Sequence, residues 1–407
     1  MIYSSPANLG VLACPGGEVF ADEVIFYLKK CYHHKFGHAV EALSKKYGLN
    51  SDEVVKRIDF LVETQALAVQ EPKRGHSPRF KVPARFSFFP NGEIKAEILE
   101  SIRGKDIYIF QDVENHYPVS FNAGEARRSL TVNDHLMTIF VTVDAVQQAG
   151  AERITLVAPL YPYSRQHKKK GREGVTATRI GQMLESLGVS RILTLDIHSR
   201  EIGNAFNLMR LENLHASYQI IRQLLAITGI KNDDLVVVSP DTGAVDRNKF
   251  YATALKKPLA LLYKERDYSR ISKDALENNI AEIKLLGDVK DKTVFMADDM
   301  LGTGGTLLKA MRFLKEQGAG KVIAAVSLPL FTGNAVSHFD AAYKEGLFYR
   351  IIGTNAIYHE ELLKREWYNS VSISKLFAQT ISRLHQGLSL SSLLDSRSVI
   401  GKLLAGE

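Results

Sequence analysis

The chain has 407 residues, 45% hydrophobic and 24% charged, too long for one typical core and suited to two domains with an insertion. No apolar run approaches the ~20 residues of a membrane span. Only Cys14 and Cys31 are present, with neither a disulfide framework nor metal-ligand spacing, so a cytoplasmic protein with no membrane partner is expected. The first residues lack a basic region followed by an apolar core, and no signal peptide is expected. The formal charge of +7 favours anionic partners. Its densest run, Arg165 to Arg172 (RQHKKKGR), has no interleaved aromatic residue, so nucleic acid is not expected among them.

In chain order, Leu9–Cys14 reads as a first buried strand. The stretch from about Tyr32 to Ala84 reads as an insertion. Within it Ser51 is expected to cap a helix through Val54, Ile58 and Leu61, followed by a basic, proline-containing linker, EPKRGHSPRFKVPAR. Strands are expected at Asp106–Gln111, Arg153–Ala158, Arg191–Ile197, Leu235–Ser239, Leu259–Tyr263, Thr293–Ala297 and Lys321–Leu328. Helices are expected at Asn133–Ala149, Ala177–Leu187, Ser217–Ile227, Leu307–Gln317 and Ile373–Leu384. Strands spaced by helices indicate βαβ units and parallel sheets. GAERITLV at Gly150 is echoed by GAGKVIAA at Gly318, each after a helix. Two copies of one α/β domain account for the echo; chance likeness between βα units is the alternative. On the first reading only the second copy keeps a phosphate loop, and DVENHYPVSFNAGE replaces it in the first.

The most informative stretch is VFMADDMLGTGGTL, Val294 to Leu307. An apolar strand is closed by Asp298 and Asp299. A loop carrying Gly302, Thr303, Gly304, Gly305 and Thr306 then leads into a helix. Glycines let backbone N–H groups approach an anion at the helix N-terminus, and the threonines add hydroxyl donors. Two carboxylates at a buried strand end repel each other and suit a ribose diol, which offers two donors. No Lys follows the glycines, so this is not a P-loop. Ser239-Pro240-Asp241 and Asp196-Ile197-His198 end two further strands, where open α/β sheets bind ligands. The basic loop after Tyr161 can close over a polyphosphate. Lys264 and Arg266 end another strand as two cations suited to charge on a transferring phosphoryl group.

In their order and spacing these motifs resemble the ribose-phosphate pyrophosphokinase family, from Phe86 to Leu394 and near Cys14. The resemblance implies two tandem phosphoribosyltransferase-like α/β domains, each a mainly parallel sheet flanked by helices. They would span about 1–215, with the insertion at 32–84, and 216–385; a tail of about 386–407 is expected to pack back on the first. It implies transfer of the diphosphoryl group of ATP to the anomeric hydroxyl of ribose 5-phosphate. Lys264 and Arg266 are implied as catalytic. Phe89, Asn91, Glu93, Arg165, Gln166 and His198 are implied at ATP. Asp241, Asp298, Asp299 and the loop Gly302, Thr303, Gly304, Gly305 and Thr306 are implied at ribose 5-phosphate. Mg2+ is implied near His198 and Asp241, and a homo-oligomer, dimer or hexamer, sharing its ATP site between subunits. LHQG at Leu384 with SSLL at Ser391 resembles the family's C-terminal motif.

Four departures stand out. Gly302 stands where many members have Asp, and Asn91 replaces the Asp of F-x-D-G-E. His167 and Lys170 replace acidic residues, and the insertion has no counterpart in the typical member. A non-catalytic regulatory subunit that binds nucleotide or sugar phosphate is the alternative reading. A phosphoribosyltransferase is disfavoured by the S-P-D, D-I-H and K-E-R set.

Overall fold

The computed structural model describes residues 8–55, 78–121, 127–169, 171–229, 234–266 and 280–406, with backbone alone at 264–266 and 280–282. Two sheets organise it. The first joins β1 (Leu9–Ala13), β4 (Asp106–Phe110), β5 (Arg153–Val157), β6 (Arg191–Leu195) and β7 (Arg210–Leu214), in that spatial order and all parallel. Its four strands other than β7 are nearly continuous buried runs, as a sheet covered on both faces requires. Between them run α1 (Glu18–Tyr47), α2 (Val132–Gln148) and α3 (Thr176–Ser186). Thr131 starts α2 with a reciprocal cap: its hydroxyl accepts the Asp134 N–H at 3.2 Å, and Asp134 Oδ2 accepts the Thr131 N–H at 2.8 Å.

The second sheet has the order β10-β9-β8-β11-β12-β13-β14. These strands are β8 (Leu235–Ser239), β9 (Leu259–Arg266), β10 (Ile280–Leu286), β11 (Thr293–Leu301), β12 (Val322–Pro329), β13 (Arg350–Thr354) and β14 (Tyr368–Val371). Only β10 runs antiparallel, against β9. The order reverses between β8 and β11, with β9 on one side and β12 on the other. That split is where open α/β sheets leave a crevice beyond the strand ends. The helices are α4 (Ser217–Thr228), α5 (Val245–Leu255), α6 (Gly305–Glu316), α7 (Ala335–Lys344) and α8 (Glu360–Leu363). A separate hairpin pairs β2 (Ala84–Phe88) with β3 (Ile94–Ile98).

The eight expected strands and five expected helices are present, Leu235–Ser239 with its expected ends and the others with shifted ones. β9 extends to Arg266, and β11 to Leu301, so Asp298 and Asp299 lie within the strand rather than closing it. β11 continues because β12 stays alongside, pairing Asp298 with Val326 and Leu301 with Pro329. The insertion does not begin as a separate lobe. α1 runs unbroken for 30 residues and ends at Gly48 in the left-handed conformation. The cap of the next helix is Asn50, not Ser51: Asn50 Oδ1 accepts the Glu53 N–H at 2.8 Å, and Glu53 returns a carboxylate to the Asn50 N–H. Ile58 and Leu61 lie outside the described residues. The strip Phe80–Val82 belongs to the core, exchanging backbone bonds with Val11 at 2.7 and 2.8 Å on the outer edge of β1.

The chain's end also differs from expectation. It is α9 (Ser374–His385) that returns to the first sheet, lying along α1, where Phe377 meets Phe20 edge-on at 5.2 Å. His385 seals that contact, its Nδ1 hydrogen-bonded to buried Asp106 at 2.9 Å. After α10 (Ser391–Leu394), α11 (Arg397–Ala405) packs on α4 and α5 instead, because Ile400 is its only buried side chain among the described residues and fits there.

Candidate active site

Two strand ends from different sheets face each other. β6 ends at Leu195, and Asp196 follows with φ of +42°, turning the chain so that His198 points out of the first sheet. His198 Nδ1 lies 2.7 Å from Asp299 Oδ2 on β11. Asp196 bridges the sheets too. Its carboxylate meets His215 Nδ1 at 2.7 Å and accepts the Ser327 hydroxyl of β12 at 2.5 Å and the Ala216 N–H at 3.2 Å.

Behind the acidic pair stands Arg247 of α5, its Nη1 3.9 Å from Asp298 and 3.7 Å from Asp299. Burial alone would raise Asp299, but the His198 hydrogen bond and then the Arg247 charge hold it well below the usual carboxylate range. Burial pushes Asp298 the other way, reinforced by the charge of Asp299. The pair therefore holds one firmly ionised carboxylate and one that shares its charge reluctantly.

The loop beyond is short: Gly302, Thr303 and Gly304, with α6 starting at Gly305. Gly304 has φ of +74°, and a Cβ there would sit 2.3 Å from Phe339 Cε2, so only glycine fits. No side chain caps α6, which leaves its first N–H groups open to an anion. Thr303, Gly305 and Thr306 are exposed beside them. A Cβ on Gly302 would meet only ordinary contacts, 3.6 Å from both Arg165 Nη atoms and from Thr332 Oγ1. The basic loop of the first domain thus reaches the glycine loop of the second. Within it Gln166 donates its N–H to Tyr163, and the His167 ring lies 5.1 Å from that of His198.

Asp241 follows β8, one strand over. One oxygen accepts the Ala244 N–H at 3.0 Å, fixing the turn into α5. Lys264 and Arg266 are the closing residues of β9, in register with Ile283 and Ile280; their side chains lie outside the described residues. Phe89, Asn91 and Glu93 are not joined to this cluster. They stand exposed at the hairpin tip, where Asn91 Oδ1 accepts the Glu93 N–H and Gly92 takes φ of +93°.

A metal has a plausible seat in this donor set. A neutral His198 that donates Nδ1–H to Asp299 would present Nε2 as a lone pair, the arrangement usual for an imidazole ligand. The second oxygen of Asp241 has no role in the turn. Among the described residues there is no cluster of three or more metal-binding side chains.

Arg247, Asn248 and Ser327 were not foreseen. The one signal for the first two is position: they fall in the first turn of the helix after Ser239-Pro240-Asp241, facing the same strand ends.

A parallel sheet split at β8 and β11, with a glycine loop opening a helix beside paired carboxylates, defines a phosphoribosyltransferase-type protein. A family model for the N-terminal domain of ribose phosphate pyrophosphokinase matches residues 79–188, and one for the phosphoribosyl transferase domain matches 208–349. Ribose-phosphate pyrophosphokinase A of Dictyostelium discoideum is 36% identical over 308 residues, 75% of this chain and 87% of that protein. Ribose-phosphate pyrophosphokinase 2 of Enterococcus faecalis is 34% identical over 312 residues, 76% of this chain and 87% of that one. The phosphoribosylpyrophosphate synthetase of Mycobacterium smegmatis superimposes with a TM-score of 0.67 at 26% identity, over 93% of this chain and 99% of that one. The chain belongs to the ribose-phosphate pyrophosphokinase family, and is a diphosphotransferase.

Proposed function

We propose that the chain is a catalytically active ribose-phosphate pyrophosphokinase, transferring the β,γ-diphosphoryl group of ATP to the anomeric hydroxyl of ribose 5-phosphate and releasing AMP. The observation that carries this reading is the 2.7 Å contact between His198 of the first domain and Asp299 of the second. It supports a single site in which nucleotide and sugar phosphate lie side by side.

In this reading the loop Gly302–Thr306 and the α6 N-terminus hold the 5-phosphate, and Asp298 and Asp299 accept the ribose hydroxyls. Asp241 stands at the other wall of the crevice. Arg165 and Gln166 line the nucleotide side. Lys264 and Arg266 close the β9 edge and meet charge spread over the transferred group. Mg2+ bound through His198 Nε2 and Asp241 would neutralise phosphate charge. No covalent intermediate is required: positioning and electrostatics suffice for phosphoryl transfer. The regulatory-subunit alternative is not favoured, since the relatives matched over three quarters of the chain are named as pyrophosphokinases.

We infer that the first domain ends near residue 215 and the second near 385, with α9 lent back to the first. We infer a homo-oligomer in which the exposed tip of Phe89, Asn91 and Glu93 reaches a neighbour's nucleotide. No described helix is long and apolar enough to cross a membrane; a cytoplasmic location is proposed from the near-absence of cysteine. The test is AMP release from ATP, Mg2+ and ribose 5-phosphate. AMP that depends on the sugar supports the enzyme; ligand binding without AMP would support the regulatory subunit.

A further inference from the structure

α5 presents two consecutive residues to the end of β11, and each grips it differently. Asn248 is completely buried. Its carboxamide Oδ1 accepts the Ala297 N–H at 2.9 Å, and its Nδ2 donates to the Ala297 carbonyl at 2.9 Å and to the Ala244 carbonyl at 2.9 Å. Ala297 is the residue just before the acidic pair.

The reason lies in the sheet. β8 and β11 pair through Thr293–Leu235, Val294–Val236 and Phe295–Val237, and there the ladder stops. The strands part at the switch point, so the Ala297 N–H and C=O on the β8 side lose their strand partner. Two buried peptide groups left bare would be costly. The Asn248 amide replaces the missing strand for one residue and so fixes where β11 points as it enters the crevice.

Arg247, its neighbour, does the same for the side chains. Its guanidinium lies against Asp298 and Asp299 at 3.9 and 3.7 Å, and the Asp196 charge from the first domain also acts on it. One nitrogen, Nη1, stands near both carboxylates, so a single cation serves the two at once. Without it, three carboxylates would lose the cation whose charge they share.

We propose that Arg247 and Asn248 are positioning residues that aim the Asp298–Asp299 pair at the ribose hydroxyls, Asn248 through the strand backbone and Arg247 through the carboxylates. The proposal rests on the reading of that pair as the diol acceptor. α5 also carries the Asp241 turn at its start. One rigid helix therefore sets the geometry of both walls of the sugar site.

The experiment is ribose 5-phosphate titration calorimetry on the full chain, arranged as a double-mutant cycle of Arg247→Met and Asp299→Asn, with Arg247→Lys beside it. The melting temperature of each protein is recorded. The account expects Asp299→Asn to weaken sugar binding. It expects Arg247→Met to weaken it by at least about tenfold, as loss of a second-layer partner typically does. The double variant should then be little worse than Asp299→Asn alone, because the two act in series, and Arg247→Lys should recover part of the loss. A merely structural role would give additive losses that follow the melting temperatures. Additivity, or an unchanged affinity in Arg247→Met, overturns the proposal. Should Arg247→Met fail to fold, the double variant, which removes one carboxylate charge, and Arg247→Lys still decide it. Unchanged affinity in Asp299→Asn would instead remove the diol reading, and the proposal with it.

Discussion

Gly304 and Gly302 sit two residues apart and face opposite constraints. Gly304 needs a positive φ and has Phe339 pressed where a Cβ would be. Gly304→Ala is therefore expected to cost about 1–3 kcal/mol and to abolish ribose 5-phosphate binding, read by thermal melting and calorimetry. An unshifted melt would show that the loop relaxes. At Gly302 a Cβ would meet only ordinary van der Waals contacts, from Arg165 and Thr332. Gly302→Asp should fold with stability within roughly 0.5 kcal/mol of the parent. A large melting loss would contradict the spacing described. At the catalytic edge, Lys264→Ala should lower turnover by about 100-fold or more while leaving KM for ribose 5-phosphate nearly unchanged, since its contact belongs to the transition state. Unchanged turnover would remove it from that role. Asp298, Asp299 and the glycine loop could be read from residue types alone, because paired acids and clustered glycines have few structural uses. Arg247 and Asn248 could not, because a lone Arg-Asn in a helix reads as surface until the split between β8 and β11 is known.

Among the elements, the insertion and the first strand-end loop carry the testable differences. The expected boundary at about 32–84 cuts through two structural units. Helix α1 holds α9 at least as far as Lys35, whose ammonium donates to Ser382 at 3.0 Å and Gln386 at 2.8 Å. Phe80 and Val82 are buried against β1. Replacing residues 38–77 by a short turn should leave a cooperative melt, whereas deleting 32–84 should give aggregated protein. Equal behaviour of the two deletions would refute this boundary. Helix periodicity in α1 was hidden by its weak amphipathicity, and the β-pairing of Phe80–Val82 by neighbouring prolines and basic residues. In the first copy, Asp112 occupies the strand end where the second has its acidic pair. Burial pushes its carboxyl up to about 7, although it accepts the Glu114 N–H at 3.0 Å. The folded value lies above the ordinary 3.8, so the native state binds this proton more tightly. Its contribution to stability is present at low pH and is lost as pH rises through about 7. Asp112→Asn should therefore melt about 2–4 °C or more above the parent at pH 8, with the gap narrowing as pH falls below about 7 and closing only near the ordinary carboxylate value of 3.8. A pH-independent gap would show that Asp112 does not titrate in this way.

At the scale of the whole molecule, the site exists only because two sheets meet. His198 and Asp196 come from one, Asp299, Arg247 and Ser327 from the other, and α9 ties the second half of the chain to α1. The alternation of strands and helices made the tandem α/β plan legible. The contacts between domains were not, because they depend on where strand ends face each other rather than on any local pattern. The exposed hairpin tip extends the argument beyond one subunit. Co-expressing Phe89→Ala and Lys264→Ala chains, each impaired alone, should restore partial activity through mixed sites if the tip serves a neighbour's nucleotide. No recovery in a mixed oligomer would confine the tip to its own subunit. The most direct test of the whole account follows the transferred group itself: ATP labelled at the β-phosphate is mixed with Mg2+, ribose 5-phosphate and the purified chain. The account predicts that the label moves to a sugar diphosphate in step with AMP, and that neither forms without the sugar. Label appearing in ADP or inorganic phosphate, or no transfer at all, would contradict it.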